Sequence, residues 1–300
     1  MSEPAAILRR IALPPNYRAQ DVLAFHGRDA EGVAEEIAPE RIRKGVLLDG
    51  AAVVLDIALR QDAAACRIAA DGALSAAAKA ALDGMLRNLL GLNIDPSPFA
   101  VLVRDDALMG PLVRARPGLR IVQSSSIFEA LSWAVIGQQI NLPFAIALRR
   151  SFIQQAGRRH GSGLWCYPEA ADVARLQIDS LTSRKFSRAK AETLLRLARL
   201  VDSGQLQLEE DAANGIEDIS AALLAVKGIG PWTVNYALLR GYAHADCSLH
   251  GDVAIRAAVQ RLLGEAEKPD LARTRAFLEQ YRPHRTMAAA HLWASLQVTA

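Results

Sequence analysis

The sequence predicts an α+β protein in two parts, a small antiparallel-sheet unit over 1–115 followed by an all-helical bundle over 116–300. Three observations predict it. Apolar stretches of strand length crowd the first 70 residues and are separated by Asp/Gly turns. Apolar residues recur at helical spacing from 124 onward, with no convincing strand. Between these textures the segment 93–98, with Pro96 and Pro98, breaks the pattern.

The strands are predicted at 7–13, 45–48, 53–59 and 64–69, with turns at Asp49–Gly50 and Asp71–Gly72. Helices are predicted at about 19–27 and at 75–91, where Leu82, Met85, Leu86, Leu89 and Leu90 share one face. Ser126 followed by Glu129 reads as a capping box that opens a helix through about Gln139. Further helices are predicted at 143–157, 168–176, 187–202, 217–226, 231–242, 252–263, 269–281 and 283–297. The gaps between them carry Gly, Pro, Asp or Ser, which end helices.

Three hundred residues suffice for a sizeable core without disulfide staples, and 51% hydrophobic with 22% charged residues describes a globular chain. No apolar run reaches membrane-span length and residues 1–4 open no signal-peptide pattern, so a cytoplasmic location is expected. Cys66, Cys166 and Cys247 are too far apart for a zinc knuckle or disulfide framework and are expected to be reduced. A net charge of +3 permits a nucleic-acid partner without requiring one. The basic clusters Arg184, Lys185, Arg188, Lys190 and Arg114, Arg116, Arg120 form either a phosphate-facing patch or solvated helix faces.

The most specific feature is the run 223–236. Two short helices are joined there by a hairpin of Lys227, Gly228, Ile229 and Gly230. The glycines permit torsions and close approaches that a side chain forbids. Pro231 fits the first position of the second helix. The free amides at that helix start, with Thr233 in its first turn, are a seat for a backbone phosphate. Asp252 follows 22 residues after Gly230. A Gly-x-Gly hairpin alone is weak, since many such turns only reverse the chain.

With the segments 115–120, 128–140 and His291–Leu292–Trp293, the run resembles the helix-hairpin-helix (HhH-GPD) DNA glycosylases, and within them the 3-methyladenine glycosylase II family. The likeness is strong from about 115 to 295. It implies that the sheet unit resembles half of the TATA-box-binding protein. It also implies a monofunctional enzyme that flips alkylated bases out of duplex DNA and hydrolyses the N-glycosidic bond in base excision repair. Asp252 takes the place of the family's catalytic aspartate, which stabilises the oxocarbenium-like sugar and orients water. Where the family has Pro-Asp-Asp, this chain has His250, Gly251 and Asp252, and a helper role for His250 stays open. Trp232, Tyr236 and Trp293 take the aromatic base-pocket positions, with Phe25 as a fourth. Their faces are expected to attract a cationic alkylated ring. The wedge that replaces the flipped base is Gln139 or Ile140.

The family's strand-cutting members place a lysine at the position of Trp232, so no lyase activity is expected. Three scattered cysteines do not suit an iron–sulfur cluster. The family hairpin binds a monovalent cation through backbone carbonyls, here those of Val226 and Ile229. The expected partner is double-stranded DNA carrying a damaged base, bound by a monomer with no membrane. Two other classes compete: a non-catalytic helix-hairpin-helix DNA-binding protein, which has no use for Asp252 or the aromatics, and a glycosylase for deaminated or mismatched bases, for which Asn235, Thr233 and Ser248 are the polar candidates. A metal-dependent hydrolase built on His244, His250 and Asp252 fits no recurrent ligand spacing.

Overall fold

The protein is described by a computed structural model over residues 6–212 and 214–296; the predicted opening segment 1–4 and residue 297 of the last predicted helix lie outside the described residues. The first part of the chain forms β1 (Ile7–Ala12), α1 (Ala19–His26), β2 (Glu35–Ala38), β3 (Arg41–Leu48), β4 (Ala51–Leu59), β5 (Ala63–Ala70) and α2 (Ala76–Leu89). The strands make one antiparallel sheet in the order β1-β5-β4-β3-β2. One face of the sheet packs against α1 and α2 through Val22, Leu23, Val53, Leu55, Ile57, Leu82, Leu86 and Leu89.

β2 escaped the sequence prediction for a physical reason. Only its Glu35 is buried, and a strand whose inward residue is a carboxylate has no apolar alternation to read. β3 starts earlier than expected for the same reason: Arg41 and Arg43 alternate with the buried Ile42 and Lys44.

The rest of the chain continues with α3 (Ser97–Leu102), α4 (Met109–Ala115), α5 (Ile127–Gly137), α6 (Leu142–Ala156), β6 (Arg158–Arg159), β7 (Trp165–Cys166), α7 (Ala170–Ala174) and α8 (Ile178–Thr182). It ends with α9 (Arg188–Asp202), α10 (Ile216–Ala225), α11 (Pro231–Arg240), α12 (Val253–Leu263), α13 (Leu271–Glu279) and α14 (Arg285–Ser295). Leu131, Val135, Phe152, Leu194, Leu223, Leu239, Ile255, Leu278 and Leu292 form the helical core, which Phe99, Met109 and Val113 of α3 and α4 join, together with Val103 just after α3.

The expectation of no strand after 124 is corrected by β6 and β7, a hairpin of two-residue strands too short to carry a period. They exist because the segment docks on the sheet: Leu47 N donates to Tyr167 O and Tyr167 N to Gly45 O, both at 3.0 Å. Gly45 allows this approach, since a Cβ there would lie 2.1 Å from Trp165 O. The predicted capping box forms by half. Ser126 Oγ accepts from Glu129 N at 3.0 Å, but the Glu129 carboxylate accepts from Ser125 N instead of returning to its own cap.

That carboxylate is drawn into the junction between the two parts. Lys44 Nζ donates to Glu35 Oε1 at 2.6 Å and to Glu129 Oε1 at 2.7 Å. Arg149 of α6 donates to the same two oxygens at 2.6 and 3.0 Å. Two carboxylates and two cations thus neutralise each other while Lys44, Glu35 and Glu129 are almost fully buried. Burial alone raises the Glu35 and Glu129 pKa values, but Arg149 and Lys44 outweigh it and hold both low, Glu129 at about 2.

Glu129→Gln leaves two buried cations sharing one carboxylate and is expected to cost about 3–5 kcal/mol at pH 7 in urea unfolding. Because the folded pKa lies below the ordinary 4.5, the stability Glu129 contributes is present above about pH 4.5 and is lost as pH falls toward about 2. The wild type should therefore lose more stability than Glu129→Gln between pH 7 and pH 2.5; equal losses would remove the network from the account.

Candidate active site

The hairpin forms where α10 meets α11. Gly228 has φ +97°, and a Cβ there would lie 2.1 Å from Thr193 Oγ1 of α9, so both torsion and approach demand glycine. Ile229 N donates to Val226 O at 3.0 Å to close the turn. Pro231 opens α11, Thr233 is buried in its first turn, and Lys227 is exposed with its carbonyl accepting from Arg196 Nη1 at 3.0 Å.

Asp252 caps the N-terminus of α12, with Oδ1 accepting from Ala254 N at 2.9 Å and Ile255 N at 3.0 Å. Two further donors come from the pocket aromatics: Trp232 Nε1 reaches Oδ2 at 2.9 Å and Trp293 Nε1 reaches Oδ1 at 3.2 Å. These four N–H groups, two of them at a positive helix end, fix the carboxylate on both oxygens.

The rings themselves form a wall. Trp232 and Tyr236 lie 5.4 Å apart and inclined at 34°, and Tyr236 and Trp293 lie 6.5 Å apart at 58°. Phe25 reaches the same place from α1, with the Arg240 guanidinium 4.6 Å from its ring centre. All four sequence-predicted aromatics are therefore brought together.

Three residues of the wall were missed. Trp133 Nε1 donates to Tyr236 Oη at 2.9 Å, which sets the phenol's angle. Arg28 lies 3.8 Å over Phe25 and 5.5 Å over Trp133. Arg240 also faces Tyr236 at 5.9 Å and Trp293 at 5.7 Å. A signal for Arg240 existed, since Trp232, Tyr236 and Arg240 are spaced i, i+4, i+8 along one face of α11. Trp133 was hidden in an apolar helix, and Arg28 in a loop.

The hydrogen bonds of His250 go to Ser248 and Arg275 rather than to Asp252. Arg275 Nη2 donates to its Nε2 at 3.0 Å, so the other nitrogen carries the proton toward Ser248 Oγ at 2.9 Å. Burial and the neighbouring Arg275 lower its pKa, and the ring braces the loop before α12 as a neutral group.

The wedge candidates part company. Gln139 is exposed in a turn after α5 with φ +55°, whereas Ile140 is half-buried and packs against the helical core. The basic clusters are partly spent internally: Lys190 Nζ donates to Gln138 O and Val135 O, Arg120 to Gly91 O, and Arg114 to Arg104 O. Lys185 and Arg188 remain exposed.

A family profile described as the AlkA N-terminal domain matches residues 9–126. A DNA-3-methyladenine glycosylase of Bacillus subtilis (strain 168) is 31% identical over 208 residues, spanning 68% of this chain and 69% of the relative. DNA-3-methyladenine glycosylase 2 of Escherichia coli (strain K12) is 30% identical over 187 residues, spanning 62% and 63%. In fold, the chain is similar to the 3-methyladenine DNA-glycosylase from Archaeoglobus fulgidus, with a TM-score of 0.81 at 21% identity over 97% of this chain and 99% of that one.

Trp293→Phe keeps a ring in the wall and removes one donor from Asp252. Single-turnover base release should slow roughly tenfold, the scale of one hydrogen bond to a charged group, while affinity for an abasic-analogue duplex changes less than about threefold. A rate unchanged from wild type would show that the indole N–H does not position the carboxylate.

Proposed function

The chain belongs to the DNA-3-methyladenine glycosylase family, and we propose that it takes duplex DNA bearing an alkylated base, extrudes that base against the aromatic wall and hydrolyses its N-glycosidic bond at Asp252. The observation that carries this reading is the convergence of Trp232 and Trp293 on the Asp252 carboxylate. A base stacked on those rings has its sugar beside the carboxylate that the same rings hold.

Bond cleavage builds positive charge on the sugar, and a fixed anion next to it acts without reorganising, which is worth about 3 kcal/mol or more. Asp252 also accepts from or orients the attacking water. The hairpin amides and α11's start seat a phosphate, and extrusion costs a few kcal/mol that binding on the wall and a wedge must offset. We assign the wedge to Gln139 rather than Ile140, because only Gln139 stands clear of the core. The carbonyls of Val226 and Ile229 are the proposed seat of a monovalent cation; Val226 O gives only one of its lone pairs to Ile229 N. The protein acts as a monomer, since the wall, wedge and hairpin come from one chain.

Arg28 and Arg240 change one expectation. Their guanidiniums already lie over Phe25, Trp133, Tyr236 and Trp293, so a cationic alkylated base gains little from those faces. Preference for such bases rests on the weakness of their glycosidic bond. The same two cations favour a second reading, in which neutral damaged bases with carbonyl oxygens are also released; competition between methylated and deaminated duplexes separates the two.

Asp252→Asn should abolish base release from methylated DNA while leaving binding of an abasic-analogue duplex intact or improved, because an anion facing DNA opposes ground-state binding. A loss smaller than about tenfold in single-turnover rate would contradict the assignment.

Strand breaks should appear only after alkali, and borohydride should trap no covalent complex, because Trp232 stands where a Schiff-base lysine is needed. Trapped protein–DNA adduct would refute the monofunctional chemistry.

A further inference from the structure

Gln138 ends α5 and precedes the exposed Gln139. A primary amide has two N–H donors, and Gln138 directs both at the hairpin. Its Nε2 donates to Gly228 O at 3.0 Å and to Thr233 Oγ1 at 2.8 Å, one acceptor in the turn itself and the other in the first turn of α11. The residue is held from behind as well: Lys190 Nζ, from the first turn of α9, donates to Gln138 O and, at 3.4 Å, to Val135 O. One turn further along the same helix, Thr193 lies directly beneath Gly228. The chain leaves this clamp through Gln139 at φ +55°, a conformation that a non-glycine residue keeps only when its surroundings impose it.

We propose that Gln138 is a positioning residue that latches the wedge turn to the phosphate-binding hairpin, so that a phosphate seated on the hairpin fixes the pose from which Gln139 enters the duplex. The Gln138 amide gives its hydrogen bonds to the hairpin and the start of α11, and not to Asp252 or an aromatic of the wall. It therefore serves extrusion of the base and leaves bond cleavage untouched. The inference rests on the glycosylase reading above and adds to it a mechanical link between two binding elements that are 90 and 95 residues apart at their points of contact.

The test uses the full chain and two duplexes with the same alkylated base, one paired and one opposite a gap, each with 2-aminopurine beside the target to report extrusion. Gln138→Leu keeps a branched side chain of similar bulk, one atom shorter, and removes both donors. It should slow extrusion and base release from the paired substrate roughly tenfold, with less than about threefold change on the gapped one and an unchanged thermal midpoint. Lys190→Met, which frees the backbone of the latch, should give the same selective loss, so the test does not hang on one variant. Thr233→Ser keeps the acceptor and should keep the wild-type ratio of paired to gapped rates. Thr233→Val should lower that ratio and add little on top of Gln138→Leu, because the two share one hydrogen bond. Equal losses on both substrates, or no loss on the paired one, would overturn the latch. A wild type that extrudes the base but releases none would defeat the glycosylase reading alone, and the extrusion rates would still decide the latch.

Discussion

Two indole N–H groups pointing at one carboxylate set the terms for the whole site. Trp232 comes from the helix that follows the hairpin and Trp293 from the last helix, so the contact to Asp252 ties three distant stretches of chain to one point. It also makes the rings proposed to receive a base the holders of the group proposed to act on its sugar. Binding surface and chemistry cannot drift apart, because a shift of either ring moves a donor away from the carboxylate. The remaining donors, Ala254 and Ile255 N, belong to a helix start and cannot move without unwinding it.

The sheet part contributes a wall to this arrangement, and the buried charges at the junction explain how it stays in place. Phe25 sits at the end of the sheet part's first helix and Arg28 just beyond it, while Trp133, Tyr236 and Arg240 belong to the helical part. Between them, Lys44 and Glu35 from the sheet interlock with Glu129 and Arg149 from α5 and α6. Such a network adds little net stability compared with a packed apolar junction, but its directionality admits few alternative registers. α5 runs from that network at one end to the Gln138–Gln139 turn at the other. One helix therefore relates the junction, the wall through Trp133, and the turn proposed to carry the wedge.

Much of this was legible in the sequence because it is written in local terms. The hairpin's glycines, Pro231 and the order of the longer helices follow from backbone chemistry, although the short α3, α4 and α8 do not, and Asp252, Trp232, Tyr236, Trp293 and Phe25 were identified through the resemblance those motifs carry. The elements that escaped are the ones defined by partners far along the chain. β2 is a strand because Glu35 finds Lys44 and Arg149, and β7 is one because Gly45 lets it approach. Lys190 was read as part of either a phosphate-facing patch or a solvated helix face, yet the carbonyls of Val135 and Gln138 claim it, and burial lowers its pKa. Arg28 was hidden in a loop, and Arg240, although it shares a face of α11 with Trp232 and Tyr236, is drawn to Phe25 by a fold that no local pattern shows.

The central claim is that the Asp252 carboxylate, held by Trp232 and Trp293, stabilises positive charge at the sugar. The most direct measurement is the dissociation constant for two duplexes that differ in a single position, one with a cationic pyrrolidine in place of the target nucleotide and one with a neutral tetrahydrofuran. The account predicts at least about tenfold tighter binding of the cationic duplex by the wild type, as for a mimic of the charged transition state, with that advantage lost when Asp252 is replaced by Asn. Equal affinity for the two duplexes, or an advantage that survives the replacement, would contradict it.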